Sequence, residues 1–245
     1  MTEADLSYLW VYLSASPLTG LTMTLVAYSA AYKLYQVSGQ NVWLHPVITA
    51  VALLILFLQT VGMDYKAYFE GAQFIHFLLG PATVALAIPL YQQLPKLKRI
   101  WWPTTVGLLA GVMMGAVSSV LVAYLGGASL ETLLSVAPKS VTVPIAMGIS
   151  EQIGGLPSLT AVLVVATGVV GAVLGVALFQ WMGIRDDSVK GVAMGVAAHG
   201  IGTARSFQVS QEMGAFSGLA MALAGVLTAI ILPFLVPALH GLHSL

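Results

Sequence analysis

The chain has 245 residues, of which 58% are hydrophobic and only 7% are charged, and its formal net charge is zero. Its mean hydropathy is +0.93, whereas about a quarter of the residues in a soluble domain are charged. A soluble protein is therefore excluded, and the fold class that we predict is an all-α polytopic membrane protein. The zero net charge gives no indication of a nucleic-acid partner. Because the sequence contains no cysteine, disulfides and thiolate metal sites are excluded.

Apolar stretches of about 20 residues with few charges predict where the chain crosses the bilayer. Pro removes a backbone donor and Gly permits positive φ, so stretches that contain them are expected to be half-helices flanking unwound backbone. The continuous spans that we predict are 18–35, 43–61, 101–124, 156–181 and 216–237. The interrupted segments are 69–94 at Gly80 and Pro81, 130–152 at Pro138 and Pro144, and 189–212 at 198–202. Together they predict about seven to eight membrane segments.

Basic residues in short loops predict which end of the protein faces the cytoplasm. The residues expected on the cytoplasmic side are Lys33, Lys96, Lys98, Arg99, Arg185 and Lys190. Glu3 and Asp5 stand where a signal peptide would be basic, so no cleaved leader is expected.

The segments also suggest an inverted repeat within a single integral membrane domain, 1–245. Its halves would be approximately 43–125 and 130–238, each with a span, a broken span and a span. GlyProAlaThr at 80–83 resembles GlyIleGlyThr at 200–203, but it also resembles AlaProLysSer at 137–140, which implies a different alignment.

The first polar string, AlaProLysSerValThrValPro at 137–144, places a cation and two hydroxyls inside one interrupted segment. Lys139 could extend to the headgroups from a helix end. The flanking prolines and the hydroxyls of Ser140 and Thr142 instead favour a binding site for a small anion, because an ammonium, hydroxyl donors and a half-helix N-terminus all attract negative charge.

The second string, AlaHisGlyIleGlyThrAlaArg at 198–205, combines small residues with a planar cation. Gly200 and Gly202 permit close backbone approach, Thr203 adds a hydroxyl, and the guanidinium of Arg205 suits a carboxylate. The alternative is a tight helix crossing with Arg205 at the membrane surface. We favour a substrate-binding site formed by these residues over the helix crossing. Thr83, from the related string at 80–83, is a further candidate substrate-binding residue.

Two further residues are candidates for coupling transport to an ion. Glu151 could face the cavity and exchange a proton, or end a half-helix at the surface. His199 could carry a proton or be a hydrogen-bonded structural residue. No nucleophile elbow, zinc-protease motif, Walker loop or dinucleotide fingerprint is present in the sequence, so we expect neither an enzyme with catalytic residues nor a cofactor or metal site.

Taken together, three motifs resemble the LrgB/CidB family. They are LysSerValThrValProIleAla at 139–146, GluGlnIleGlyGly at 151–155 and the string at 198–205, and GlyProAlaThrValAlaLeuAlaIlePro at 80–89 fits as well. Bacterial members are described as holin-like or antiholin-like regulators of murein hydrolases, beside a small LrgA/CidA partner. The family also includes part of the plastidial glycolate/glycerate translocator, and bacterial members have been linked to pyruvate uptake.

The resemblance implies a carrier of small 2-hydroxy or 2-oxo monocarboxylates, and the residues imply an anion site at unwound helices. We therefore predict a secondary transporter of the pyruvate, lactate, glycolate and glycerate class, coupled to protons. The alternative is an antiholin-like regulator of cell lysis that acts by oligomerising. We expect a multi-pass protein of the bacterial inner membrane, a homodimer, and an LrgA/CidA-like membrane partner.

Overall fold

The computed structural model describes residues 17–39, 41, 44–85 and 87–243. Within those ranges the regular secondary structure is entirely helical, which confirms the all-α class. The chain divides into two compact units, Met1–Ala85 and Leu86–Leu245.

The described residues of unit 1 form three helices, and the first of them packs against the other two. The helices are α1 (Pro17–Val37), α2 (Pro46–Val61) and α3 (Tyr65–Ala85). Helix α1 approaches α3 closely at Gly20, where a Cβ atom would lie 2.8 Å from the backbone nitrogen of Ala72. A glycine is therefore required at this crossing.

The predicted break at Gly80 and Pro81 is wrong, because α3 continues through both residues to Ala85. A proline inside a helix removes one hydrogen bond, and neighbouring groups can compensate for that loss within a membrane protein. Trp43 and the side chain of Thr83 lie outside the described residues.

Unit 2 contains the longest helices. Its elements are α4 (Ala87–Gln92), α5 (Leu94–Leu125), α6 (Leu130–Val136), α7 (Val143–Ile153), α8 (Pro157–Trp181), α9 (Asp187–Val209) and α10 (Gln211–His243). Among the described residues, three helices are long and apolar enough to cross a membrane: Leu94–Leu125, Pro157–Trp181 and Gln211–Pro237. The chain therefore has the spans of a membrane protein.

The two ends of unit 2 can be told apart by their contacts. At one end, the Lys96 ammonium lies 3.0 Å from the Asp186 carboxylate and also bonds Glu212. The start of α5, the loop after α8 and the start of α10 therefore share this end, which we call the Lys96 end. Helix α6 starts at the opposite end, which we call the Glu131 end.

Helices α6 and α7 form a hairpin that enters from the Glu131 end and returns to it. At the base, the backbone N–H of Leu156 donates to the Ser135 hydroxyl over 2.7 Å. At the tip, the Ser140 hydroxyl lies 3.2 Å from where a Cβ on Gly115 would be, about 15 Å along α5 from its end at Leu125. We call this element the first hairpin.

The tip of the first hairpin confirms the predicted interruption. Residues 137–142 are non-helical, and the turn is closed by the Lys139 N–H, which donates to the Val136 carbonyl over 3.1 Å. Pro144 is not itself a break, because it lies in the first turn of α7. A proline is well placed there, since the N–H that it lacks would have no helical partner.

Helix α9 reverses direction at His199, where the backbone has φ 41° and ψ −131°. The Ser210 hydroxyl, just after α9, donates to the Asp187 carboxylate over 2.7 Å, whereas a straight helix would separate the two residues by about 35 Å. A Cβ on Gly202 would likewise lie 2.9 Å from the Met194 carbonyl oxygen. The halves 187–198 and 200–209 therefore form a second hairpin, which enters from the Lys96 end.

Two predictions for this segment are wrong. The segment 189–212 does not cross the unit, since it returns to the end at which it enters. The unwound stretch is also not 198–202, because only His199 has a non-helical backbone and Gly200 and Gly202 are helical. The glycine at 202 instead allows the two halves to pack directly against each other.

Because the natural chain has no cysteine, the reversal can be tested by engineered pairs. We expect Asp187→Cys with Ser210→Cys to form an intramolecular disulfide under mild oxidation, because the two side chains are in contact. Mass spectrometry of peptides would detect it. The control pair, Asp187→Cys with Ala198→Cys, spans one half-helix and should stay reduced; equal cross-linking of both pairs, or of neither, would contradict the hairpin.

Candidate functional site

The tips of the two hairpins lie against the same face of α5. A Cβ on Gly115 would be 3.2 Å from Ser140 Oγ, and a Cβ on Gly111 would be 3.0 Å from Val196 Cγ1. The two glycines are four residues apart, which is about 6 Å along a helix. The tips therefore approach within about one helical turn of each other.

Contacts with helix α10 independently indicate that the tips of the two hairpins lie close together. A Cβ on Gly225 would lie 2.9 Å from Ile145 of the first hairpin, and a Cβ on Gly200 of the second would lie 3.9 Å from Met221 Sδ. Both contacts fall near the middle of the apolar stretch Gln211–Pro237. The tips of the two hairpins therefore both lie midway along the crossing helices.

Lys139 is the cation at this meeting point. Its ammonium donates to the Ser140 hydroxyl over 3.3 Å, and it takes no part in the ion pairs that the described residues form. A half-buried ammonium without a carboxylate partner is suited to binding an anion.

Thr142 adds a hydroxyl on the same turn. It is the N-cap of α7, with φ −64° and ψ 149°, but its side chain makes no capping hydrogen bond. The first-turn N–H groups of a helix have no partner within the helix. Lys139, Ser140 and Thr142 therefore present an ammonium, two hydroxyls and a helix N-terminus within four consecutive residues.

His199 lies at the tip of the second hairpin in a strained conformation. A positive φ in a non-glycine residue costs about 1 to 3 kcal/mol and persists only where the surroundings impose it. The ring is buried, and its Nε2 lies 2.9 Å from the Val164 carbonyl oxygen of α8. Gly168 provides the space for the ring, because a Cβ there would be 2.6 Å from His199 Cε1.

The remaining candidates are held away from Lys139 or are committed to structural bonds. The Thr203 hydroxyl donates to the His199 carbonyl over 2.8 Å and lies 2.9 Å from the Ser217 hydroxyl. Arg205 lies about 7 Å along the half-helix from Gly200, and its Nη1 donates to Gln208 over 2.8 Å. Glu151 is exposed near the end of α7, at the Glu131 end.

A buried hydroxyl network was missed by the sequence analysis. The Thr160 hydroxyl oxygen lies 2.9 Å from the Ser135 carbonyl oxygen and 2.7 Å from the Ser150 hydroxyl, and all three residues are 0% exposed. It fixes both arms of the first hairpin to α8. The signal in the sequence is weak, since isolated Ser and Thr residues in apolar segments often bond their own helix.

An ionic cluster at the Lys96 end was missed as well. Besides the contacts of Lys96, the Lys190 ammonium bonds Asp187 over 2.7 Å. Hydrogen bonds from the Ser188 hydroxyl and the Lys96 ammonium hold the pKa of the Asp186 carboxyl well below its usual range. The predicted grouping of Lys96, Arg185 and Lys190 at one end is confirmed, and the side that this end faces stays a prediction.

The fit of the His199 ring can be tested with Gly168→Ala. The added methyl overlaps the ring, so we expect a loss of about 1 to 3 kcal/mol in the free energy of unfolding, the usual cost of overpacking. Thermal unfolding in detergent would measure it. Gly107→Ala is the matched control, because a Cβ there meets nothing within 4 Å. Adding His199→Ala to Gly168→Ala should recover part of the loss, and purely additive losses would contradict the contact.

Comparison of the sequence with known proteins places the chain in a family. The LrgB-like family model matches residues 24–238. YwbG of Bacillus subtilis is 36% identical over 221 residues, which cover 89% of this chain and 96% of YwbG. The "Antiholin-like protein LrgB" of Bacillus mycoides is 32% identical over 226 residues, which cover 91% of this chain and 96% of that protein. No solved structure matches. The chain is therefore a member of the LrgB-like family.

Proposed function

We propose that the chain is a secondary transporter of small 2-hydroxy and 2-oxo monocarboxylates, the class of pyruvate, lactate, glycolate and glycerate. The observation that carries the proposal is the meeting of two hairpins, from opposite ends, at Lys139. Irregular backbone and charge at membrane depth are tolerated where they are buried in protein or line a wet cavity. Discontinuous helices that meet near the midplane are a recurrent substrate site of transporters.

The charge of the site supports a substrate with one negative charge. Lys139 is the cation on the tip of the first hairpin, and no described carboxylate lies within ion-pair distance of it. A monocarboxylate would neutralise it, whereas a dicarboxylate would leave one charge unpaired in a poorly solvated place. The hydroxyls of Ser140 and Thr142 can bond the carboxylate or the neighbouring 2-oxo or 2-hydroxy group.

The order of elements in unit 2 supports alternating access. Helix α5 is followed by a hairpin at the Glu131 end, and α8 is followed by a hairpin at the Lys96 end. This is the relation that an inverted repeat produces. In unit 2 the two halves with this order are residues 94–153 and 157–209. The predicted halves, 43–125 and 130–238, divide the chain differently and remain a proposal.

The proposed coupling ion is the proton. His199 is the better placed carrier, because it is at the tip of the second hairpin, which contacts α5 one helical turn from the contact of Ser140. Glu151 would act nearer the Glu131 end, and Arg205 would attract the anion on its way along the second hairpin.

A second candidate is the antiholin-like role, which the names of Bacillus relatives favour. In that role the chain would regulate cell lysis from the inner membrane, as a homodimer or with an LrgA/CidA-like partner. A lysis regulator that acts by assembly has no need of an unpaired ammonium at the meeting point of two hairpins. The geometry therefore favours transport.

We expect purified wild-type protein in proteoliposomes to take up labelled pyruvate, and Lys139→Met to reduce the initial rate at least about tenfold, because a charge-assisted bond contributes about 1.5 to 3 kcal/mol. The matched control is Lys98→Met, which removes an exposed lysine from α5 and should leave uptake unchanged.

An inward proton gradient should accelerate uptake by the wild type. Wild-type uptake no faster than in empty liposomes, or full activity of Lys139→Met, would contradict the transport proposal and favour the antiholin-like role. Acceleration by sodium without any effect of the proton gradient would contradict proton coupling alone.

A further inference from the structure

The base of the second hairpin is closed by a cluster of charged side chains that the transport site does not use. The Lys96 ammonium, in the first turn of α5, contacts both carboxylate oxygens of Asp186 at 3.0 Å and Glu212 at 2.5 Å. Asp186 is the N-cap of α9, and Glu212 lies in the first turn of α10. One side chain thus connects the hairpin to two of the crossing helices.

The two arms of the second hairpin are joined at the same place. Asp187, at the start of the first arm, accepts hydrogen bonds from Lys190 and from Ser210, which follows the second arm. The Ser210 hydroxyl also accepts from the backbone N–H of Met213 over 3.1 Å. Entry to the hairpin, exit from it and the start of α10 are therefore held by one set of polar contacts.

The first hairpin is held at its base in a different way. Its base has the neutral network of Ser135, Ser150 and Thr160, which is fully buried. In the ionic cluster, by contrast, the side chains of Lys96, Asp186 and Glu212 are 24%, 50% and 31% exposed. Water can replace the exposed contacts at little cost, since partly exposed ion pairs add little to stability. Buried hydroxyls would lose their partners without compensation.

We propose that the Lys96 cluster is a gate for the site at the hairpin tips. While Lys96 bridges Asp186 and Glu212, the second hairpin is held against α5 and α10, and the route from the Lys96 end is closed. When the bridge opens, the hairpin separates from α5 and water reaches Gly200 and Lys139 from that end. Passage of the substrate through this gate rests on the proposed function, whereas opening of the gate does not depend on it.

Labelling of a single cysteine tests the gate without any substrate. Gly200→Cys places a thiol at the hairpin tip, where a Cβ meets only Met221 Sδ, at 3.9 Å, among the neighbouring atoms. A membrane-impermeant maleimide is added to one side of proteoliposomes, and the labelling rate is measured. A separate variant, Arg185→Cys in the exposed loop, identifies which side the Lys96 end faces.

In the Gly200→Cys background, we expect Lys96→Met to raise the labelling rate from the Lys96 side at least about fivefold, with no rise from the other side. Lys98→Met, two residues further along α5, and Lys96→Arg, which keeps the charge, should label at the parent rate. Potassium chloride at about 1 M, which screens exposed charges, should raise the rate of the parent more than that of Lys96→Met.

An unchanged labelling rate in Lys96→Met would overturn the gate, and so would an equal rise from both sides, which indicates general loosening. If Lys96→Met does not fold, Glu212→Gln removes a different partner of the same bridge. An unchanged labelling rate in that variant, or an equal rise from both sides, would then overturn the gate. A rise confined to the Lys96 side, together with wild-type protein that takes up no pyruvate, would leave the gate standing and contradict the proposed function alone.

Discussion

The structure of unit 2 depends on the need to satisfy backbone and charged groups in a medium without water. A helix satisfies its own hydrogen bonds, but a hairpin tip does not. Both tips are therefore placed inside the unit, between α5 and α10, where glycines allow them to approach. The same condition leaves the Lys139 ammonium with a hydroxyl neighbour and, within the part of the chain that the structure describes, no carboxylate at ion-pair distance, so that a bound anion would complete its surroundings.

The two hairpins are stabilised by different chemistry, and this difference divides the unit into a fixed and a releasable part. Buried hydroxyls bond the first hairpin to α8. Partly exposed ion pairs bond the second to α5, and its contact with α10 adds the buried hydroxyl pair of Thr203 and Ser217 to the Lys96 bridge. In a transporter, the second hairpin would then be the element that moves. The strained backbone of His199, held by its contact with Val164, lies at the tip of that element.

Much of this arrangement was predictable from the sequence, and the exceptions have physical reasons. Pro138 and Pro144 mark the first hairpin, because proline restricts backbone that a helix needs. The reversal at His199 could not be predicted, since a positive φ in histidine is imposed by contacts between distant residues such as Asp187 and Ser210. At Gly80 and Pro81 a break was predicted where the helix is continuous, because a helix can continue through a proline. The ionic cluster joins residues more than 90 positions apart, which no local pattern indicates.

Transport by the proposed route requires that a small monocarboxylate bind at the tip of the first hairpin. The most direct test is protection of a thiol at that tip, using Ser140→Cys in the otherwise cysteine-free chain and a small maleimide. We expect pyruvate to slow labelling in a saturable way, with half-protection near the concentration that gives half-maximal uptake. Acetone, which lacks the carboxylate, should have no effect. Labelling that is unchanged by saturating pyruvate in protein that still transports it would contradict a binding site at this tip.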